Sequence, residues 1–386
     1  MSNKFIPYAR QNISLSDIKS VERVLKSEYL TQGKITELFE KKIQEYANVK
    51  YASVVNSATS ALHLSCKALG LKKNDLIWTS PITFAASANC AFHLDANVDF
   101  VDIDKDTWCM SVYKLELKLK DYKHKNKTMP KIIIPVHLAG QSCDMLKIFK
   151  LSKKYGFKII EDASHAVGAE YNGYKVGSCK YSDITIFSFH AVKIITTGEG
   201  GAALTNNNNL HNKIKELRSH GITKDKNKFK YKKQMHWYYE QHNLGWNYRI
   251  TEMQSALGIS QLSKVDRFVK KRNKIANQYN RLLNNLDIVF QYLPNNLYSS
   301  RHLYVIRVSP RIRKGMFNDF IKNNIGVNLH YIPLYNHPYY KKKKINIKNY
   351  PESNTYYKEA ISLPMHTLLT YKEIKRITDI IKRAFK

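Results

Sequence analysis

The sequence predicts an α/β fold with a mostly parallel central sheet and a smaller α+β domain at the C-terminal end. Short apolar runs of strand length alternate with helical patterns along much of the chain, which is typical of a parallel sheet. Polar residues follow several of these runs, at the sheet edge where such folds bind ligands. A chain of 386 residues is long enough for two domains, which we place at residues 1–265 and 266–386.

The individual elements follow from periodicity and from start and stop signals. The first helix has Ser14 and Asp17 spaced as a capping box, and a later one has Thr251 and Gln254 in the same arrangement. The predicted strands are residues 51–55, 76–79, 98–103, 131–136, 157–161, 184–189, 200–205, 303–308 and 326–331. The predicted helices are residues 14–25, 36–46, 61–69, 84–92, 144–155, two long helices between 251 and 283, and 371–385.

The composition is that of a globular protein with a large positive charge. The chain has 63 Lys and Arg against 31 Asp and Glu, a formal net charge of +32. Such a charge suits a nucleic-acid-binding protein, but the basic residues are spread along the chain. Their densest clusters, residues 224–233 and 341–344, have the pattern of solvated loops. We therefore expect no nucleic-acid partner, and a basic nucleic-acid-binding or regulatory protein is the alternative from another class.

The cysteines and the hydropathy indicate the compartment. The five cysteines form no CxxC motif and leave an odd count, so neither a disulfide framework nor a metal site is expected. No apolar run approaches the roughly 18 residues that a spanning helix needs. The first residues also lack the apolar core of a signal peptide. These features predict a cytoplasmic protein without a membrane partner.

A candidate anion site follows the first predicted strand. Small and hydroxyl residues, among them Ala58 and Thr59, lead from residues 51–55 directly into a helix. Free backbone amides and the positive end of the helix meet at such a point, which favours a phosphate. A simple helix cap is the alternative.

A single lysine stands between two strand-like runs. Lys193 lies between residues 184–189 and 200–205, and Ser188 lies at the end of the first run, where it can meet an anion. Partial burial leaves a lysine amine unprotonated and reactive towards aldehydes and ketones. A surface lysine in a loop is the alternative. Gly198, Gly200 and Ala203 fit the G-x-G-x-x-A pattern of dinucleotide-binding proteins. In that motif the glycines lead into a helix, whereas here they lead into a predicted strand, so a dinucleotide site is not expected.

Further polar and aromatic residues follow other strands. Asp162 comes directly after residues 157–161, and His165 follows three residues later. Phe84 follows the strand at residues 76–79, where it is either part of the core or a stacking platform. An aspartate that caps a turn is the alternative for Asp162. All three follow the carboxyl ends of predicted strands, where α/β folds bind their ligands.

Together these residues match the needs of pyridoxal 5'-phosphate. Its aldehyde binds a lysine amine, a carboxylate keeps its pyridine nitrogen protonated, and its phosphate binds amides and hydroxyls. The sequence therefore predicts this cofactor.

The same motifs resemble the DegT/DnrJ/EryC1/StrS family of sugar aminotransferases over nearly the whole chain. The similar segments are IPYARQ, LTQG, NSATSALH, TSPITFAASAN, EDASHA, FSFHAVK, ITTGEGGA, LGWNYR and ISLPMH. The resemblance implies the fold type I of aspartate aminotransferase, with the cofactor and an N-terminal substrate loop in the large domain. Ile194 departs from the proline that usually follows the lysine, and the basic segment 224–233 is a long insertion. Family members with histidine in place of the lysine are dehydratases, which Lys193 argues against.

The resemblance assigns roles to individual positions. Lys193 binds the cofactor and moves the proton, Asp162 pairs with the pyridine nitrogen, and His165 lies beside the ring. The implied cofactor contacts are completed by Phe84 on the ring and by Ala58, Thr59, Ser188 and Asn247 at the phosphate. Asn247 would reach the neighbouring subunit's cofactor, which implies a homodimer with shared active sites. The implied substrate contacts are Tyr8, Glu28, Tyr29, Leu30, Thr31, Leu329, His330, Tyr331 and Ile332.

The resemblance also implies an activity. It is ping-pong transfer of an amino group from glutamate to C4 of a UDP-linked 2-acetamido-2,6-dideoxy-4-keto hexose, as in pseudaminic acid-type nucleotide sugar biosynthesis. Another nucleotide keto sugar, GDP-linked, dTDP-linked or 3-keto, is the alternative acceptor. Residue spacing selects neither the sugar nor the amino donor.

Overall fold

The computed structural model describes residues 4–231, 235–342 and 345–385. Parts of the two basic clusters, residues 232–233 and 343–344, lie outside the described residues. The helices are α1 (Leu15–Leu25), α2 (Lys34–Ala47), α3 (Ala58–Ala68), α4 (Ala86–Phe92), α5 (Val112–His124), α6 (Met145–Tyr155), α7 (Asn208–Leu217), α8 (Glu252–Leu262), α9 (Val265–Leu283), α10 (Pro310–Lys322), α11 (Pro338–Lys341), α12 (Pro351–Glu359) and α13 (Tyr371–Arg383).

The strands belong to one large sheet and three small ones. They are β1 (Tyr51–Val55), β2 (Leu76–Thr79), β3 (Asn97–Phe100), β4 (Ile132–Ile134), β5 (Lys158–Asp162), β6 (Glu170–Tyr171), β7 (Tyr174–Lys175), β8 (Ile184–Ser188), β9 (Gly201–Thr205), β10 (Ile222–Thr223), β11 (Glu240–Gln241), β12 (Val289–Phe290), β13 (Leu297–Tyr298), β14 (Tyr304–Arg307) and β15 (Ala360–Leu363).

The central sheet has seven strands in the order β1-β9-β8-β5-β4-β2-β3. Strands β8, β5, β4, β2 and β3 run parallel, whereas β9 is antiparallel to both of its neighbours. Successive side chains of β4 point to opposite faces of the sheet. Ile132 and Ile134 pack in an apolar cluster with α3 and α7, and Ile133 packs in the cluster with α5 and α6. The predicted α/β class is confirmed.

The C-terminal part forms a smaller α+β unit. Strands β12, β14 and β15 make an antiparallel sheet, and α9, α10 and α13 pack on it through one apolar cluster. The domain boundary at residues 265 and 266 stays a prediction; it falls at the start of α9. Within the described ranges, no helix has the length and apolar character that crossing a membrane requires.

Several parts of the element assignment differ from the structure. The strand predicted at residues 326–331 is wrong, because this segment divides its main-chain bonds between two neighbours. Gly326 N donates to Ile6 O over 2.8 Å, and Asn328 N donates to Ser362 O over 3.1 Å, so only an isolated bridge forms. The sequence analysis also assigned no element to α5, α7, α10, α11 and α12, or to the strands of the three small sheets other than β14. In α5 only Leu115 and Leu119 are buried.

Two glycines with opposite surroundings test this packing. A Cβ on Gly258 of α8 would lie 2.4 Å from the ring of Phe39 on α2, whereas Gly315 of α10 has open space around it. We expect Gly258→Ala to lower the free energy of unfolding by about 1–3 kcal/mol, because the buried ring must move. The matched change Gly315→Ala should raise it by about 0.5–1 kcal/mol, since alanine restricts the unfolded chain. Urea unfolding followed by circular dichroism measures both, and two changes of the same sign would contradict this account.

Candidate active site

Three strand ends meet at Gly201. This residue pairs with Ser188 at the end of β8 and with Val55 at the end of β1, and β1 leads directly into α3. A Cβ on Gly201 would lie 2.5 Å from the amide nitrogen of Ala58, so this close approach requires glycine. The register therefore brings Ser188 and the first turn of α3 to one corner.

The start of α3 leaves two amides free at that corner. The Ser57 side chain caps the helix by accepting from Ser60 N over 3.1 Å. In the part of the chain that the structure describes, the amides of Ala58 and Thr59 have no hydrogen-bond partner. Free amides at the positive end of a helix suit a phosphate dianion.

Lys193 lies in the loop between β8 and β9. Its amide donates to His190 O over 3.0 Å, which closes a turn. Burial lowers the pKa of the Lys193 amine to about 8, and the negative charge of Asp162 opposes this shift. The amine is therefore neutral in a larger fraction of molecules than an ordinary lysine.

Asp162 ends β5 and is held by two donors. Ser87 Oγ donates to Asp162 Oδ2 over 2.5 Å, and Ser164 N donates to Oδ1 over 3.1 Å. Thr83 Oγ1 lies 2.7 Å from Ser87 Oγ, which extends the buried hydroxyl chain. These bonds orient the carboxylate.

The sequence analysis missed Ser87. Its position three residues after Phe84 was the available signal, because that spacing puts both residues on one helical turn. In the structure Ser87 N donates to Phe84 O over 3.2 Å. Ser87 is buried, whereas the Phe84 side chain is 61% exposed. The turn thus supplies both an orienting hydroxyl and an open aromatic ring.

His165 belongs to a buried group of rings. Its Nε2 lies 3.0 Å from the Tyr331 hydroxyl, and its ring centroid lies 4.4 Å from that of His302. Burial, with smaller contributions from Lys193 and His330, holds the pKa of His165 well below its usual value. The imidazole is therefore neutral near pH 7. His165 Nδ1 is buried and has no partner among the described residues.

Two of the predicted substrate segments converge on this group. The Tyr8 ring lies 5.6 Å from the His330 ring, and the Phe84 ring lies 6.2 Å from the Tyr331 ring. His330 is fixed by Ser362, whose Oγ lies 2.9 Å from His330 Nδ1. The flanking residues of this segment are the half-buried Leu329 and the exposed Ile332.

The remaining predicted contacts lie elsewhere. The loop of Glu28, Tyr29, Leu30 and Thr31 is attached to the start of α8, with Leu30 O accepting from Glu252 N over 2.9 Å. Asn247 is exposed and forms a bridge with Ser219. The structure therefore gathers only part of the predicted set within one chain.

These features fit pyridoxal 5'-phosphate. The free amides of α3 and the Ser188 hydroxyl suit its phosphate, and the open Phe84 ring suits stacking on the pyridine. Lys193 offers an amine that is partly neutral near pH 7, Asp162 offers a fixed carboxylate for a ring nitrogen, and the unpartnered His165 Nδ1 offers a further polar contact.

Comparison with known proteins supports this interpretation. Residues 11–382 match the profile of the DegT/DnrJ/EryC1/StrS aminotransferase family. The chain is 42% identical over 383 residues to a UDP-4-amino-4,6-dideoxy-N-acetyl-beta-L-altrosamine transaminase of Campylobacter jejuni, with 97% of this chain and 96% of the relative covered.

Solved structures give the same result. PseC of Helicobacter pylori, an aminotransferase involved in the biosynthesis of pseudoaminic acid, has a TM-score of 0.89 and 33% identity, with 99% of each chain covered. The PLP form of a sugar aminotransferase described as putative, Spr1654 of Streptococcus pneumoniae, has a TM-score of 0.88 and 28% identity, with 99% of this chain and 100% of that chain covered.

The titration of Lys193 tests the electrostatics of the site. In protein freed of cofactor, we expect labelling of Lys193 by an amine-reactive reagent to rise with a midpoint near pH 8, because only the neutral amine reacts. The Asp162→Asn variant should have a lower midpoint, since the carboxylate favours the charged amine. Peptide mass spectrometry measures the labelling, and peptides with exposed lysines serve as internal controls. A midpoint that rises in Asp162→Asn would contradict this account.

Proposed function

The chain belongs to the DegT/DnrJ/EryC1/StrS aminotransferase family, and on that premise we propose that it transfers an amino group from glutamate to C4 of a UDP-linked 2-acetamido-2,6-dideoxy-4-keto hexose. The enzymes of this family depend on pyridoxal 5'-phosphate. The placement of Lys193 beside Asp162 at the strand ends supports the reaction. The name of the Campylobacter jejuni relative supports the sugar, in a pathway of the pseudaminic acid type.

We assign the proton transfer at the reacting carbon to Lys193. A pKa of about 8 leaves part of its amine free to accept a proton near neutral pH. The bound cofactor supplies a pyridine ring that withdraws electrons from this carbon. Asp162 stabilises positive charge on the ring nitrogen, and Ser87 keeps that carboxylate oriented.

The other residues bind and orient. Ala58, Thr59 and Ser188 hold the phosphate, Phe84 stacks on the ring, and neutral His165 contacts the ring or its hydroxyl. On the substrate side we assign Tyr8 and the segment of Leu329, His330, Tyr331 and Ile332. In this arrangement neutral hydrogen-bond donors meet the phosphate, and a carboxylate meets the ring nitrogen.

We infer a cytoplasmic homodimer with shared sites. All five cysteines are buried free thiols, which fits a reducing compartment. Asn247 is exposed, and Tyr248 O accepts from Asn56 N over 2.9 Å, which places this segment next to the α3 corner. An exposed amide at that edge can reach the phosphate corner of a second copy.

A panel of acceptors tests the proposed reaction. With glutamate as donor, 2-oxoglutarate should form fastest with the UDP-linked 4-keto sugar and more slowly with GDP- and dTDP-linked 4-keto sugars. A 3-keto sugar serves as the control. Lys193→Ala should lose turnover, and borohydride should fix the cofactor on the Lys193 peptide of the wild type only. If the UDP-linked sugar is the poorest acceptor, the substrate assignment is wrong although the cofactor assignment stands.

Mixing two impaired variants tests the shared sites. Asn247→Ala should weaken the phosphate site by roughly 1.5–3 kcal/mol, the value of a charge-assisted hydrogen bond. When Lys193→Ala and Asn247→Ala chains exchange, one site of the mixed dimer holds both native residues, so activity should partly return. An absence of recovery, with subunit exchange shown by two affinity tags, would place Asn247 in the site of its own chain.

A further inference from the structure

We propose that Glu161 and His137 are positioning residues, which hold Asp162 in place from the opposite face of the central sheet. This inference rests on the proposed function, because it takes Asp162 as the partner of the cofactor's pyridine nitrogen. It assigns a role to two buried residues behind that carboxylate.

Glu161 and Asp162 are consecutive residues at the end of β5, so their side chains point to opposite faces of the sheet. The two residues before them show the same division, since Ile160 packs in the cluster with α3 and Ile159 packs in the cluster with α6. Glu161 and Asp162 are each 5% exposed. A second buried carboxylate therefore lies directly behind the one that we assign to the ring nitrogen.

Three side chains bind the Glu161 carboxylate. Its Oε1 accepts from Thr185 Oγ1 over 3.0 Å and from Ser182 Oγ, and its Oε2 lies 2.8 Å from His137 Nε2. Burial acts to raise the pKa of Glu161, but these hydrogen bonds hold it below its ordinary value. In the described part of the chain, no lysine or arginine lies within ion-pair distance of this carboxylate. Directed hydrogen bonds therefore orient this charge.

His137 contacts both residues of the pair. Cys143 N donates to His137 Nδ1 over 3.2 Å, so that nitrogen carries no proton and the proton on Nε2 is directed at Glu161. The main-chain nitrogen of His137 donates to Asp162 O over 3.0 Å, and Asp162 N donates to Pro135 O over 2.9 Å. His137 is fully buried, so all of these bonds lie away from solvent.

These bonds form a closed ring of contacts among His137, Glu161 and Asp162, called here the carboxylate clamp. It runs from the His137 side chain to Glu161, along the main chain to Asp162, and back to the His137 main chain. Rotation of the peptide between Glu161 and Asp162 would break a buried hydrogen bond and leave its polar groups unpaired, which is unfavourable. The clamp thus fixes the main chain of Asp162, whereas Ser87 fixes its side chain.

Two changes at Glu161 separate its hydrogen bonds from its charge. Glu161→Gln keeps an acceptor for His137, and its amide can donate to the hydroxyls of Ser182 and Thr185, which also accept. Glu161→Leu has a similar size and no polar group, so it breaks the clamp. Asp102→Leu is the control for lost stability. Asp102 is also buried, but it follows the edge strand β3, three places from β5 in the sheet and roughly 14 Å away.

The titration of Lys193 in cofactor-free protein reports where the Asp162 charge lies. In Glu161→Leu we expect the midpoint of Lys193 labelling to fall part of the way to that of Asp162→Asn, because a loosened carboxylate favours the charged amine less. Glu161→Gln and the Asp102→Leu control should keep the wild-type midpoint. An unchanged midpoint in Glu161→Leu, or an equal fall in the control, would overturn the proposal.

The kinetics of the loaded enzyme give a second readout. Glu161→Leu should lower kcat about tenfold, because a small displacement of a catalytic group is costly. KM for the nucleotide sugar should stay the same, since the proposed substrate contacts lie elsewhere. Glu161→Gln should restore most of kcat. Equal losses in the two variants would mean that the charge and not the hydrogen bonds matters, which would also overturn the proposal.

A second variant covers the case in which Glu161→Leu does not fold. His137→Leu breaks one bond of the clamp and leaves Ser182 and Thr185 on the Glu161 carboxylate, so the Lys193 midpoint should move in the same direction by a smaller amount. No movement would overturn the proposal. If wild-type enzyme accepts no nucleotide keto sugar, the proposed function fails. The labelling needs neither cofactor nor sugar, so it still decides whether the clamp holds Asp162.

Discussion

The antiparallel course of β9 is the constraint on which the site depends. Because β9 returns between β8 and β1, the chain must turn back at the carboxyl end of β8, and Lys193 lies in that turn. The same register sets Gly201 opposite Ser188 and Val55, which brings the start of α3 to this edge. Asp162 pairs with Ile186 of β8 and ends its strand nearby. One strand reversal therefore brings a lysine, a carboxylate and an anion corner together.

The charge of this site is set by burial and not by the net charge of the chain. His165, His302 and His330 all have pKa values lowered mainly by burial, so they are neutral near pH 7. Because these neighbouring histidines are neutral, Asp162 is the main charged group that acts on Lys193. The hydroxyl of Ser87 keeps that charge in place. The large positive charge of the sequence lies mostly on exposed lysines, where solvent and salt screen it.

Apolar runs predicted the central sheet well, because its strands are buried on both faces and their pattern is strong. The segment 326–331 has a similar composition, yet it divides its bonds between Ile6 and Ser362, and no local pattern reveals such a division. Helix α5 was missed because it buries few residues. Lys193, Asp162 and the α3 corner could be proposed from the sequence because each lies at the end of a predicted strand or in the loop between two of them. Ser87 was missed, because its role depends on its hydrogen bond to Asp162, which lies 75 residues further along the chain.

One departure from the family pattern lies next to Lys193, and the other is the basic insertion. Ile194 is buried next to Lys193, so an apolar side chain packs at that position. The basic insertion is organised around Glu240, whose carboxylate accepts from Lys230 N over 2.7 Å and from Tyr231 N over 2.9 Å. Among the residues that the structure describes, none of the insertion bonds to Lys193 or Asp162. We therefore expect changes in this segment to leave the reacting groups in place. The sheet thus positions the proposed reacting groups, and we expect the choice of sugar to depend on loops that the sheet does not constrain.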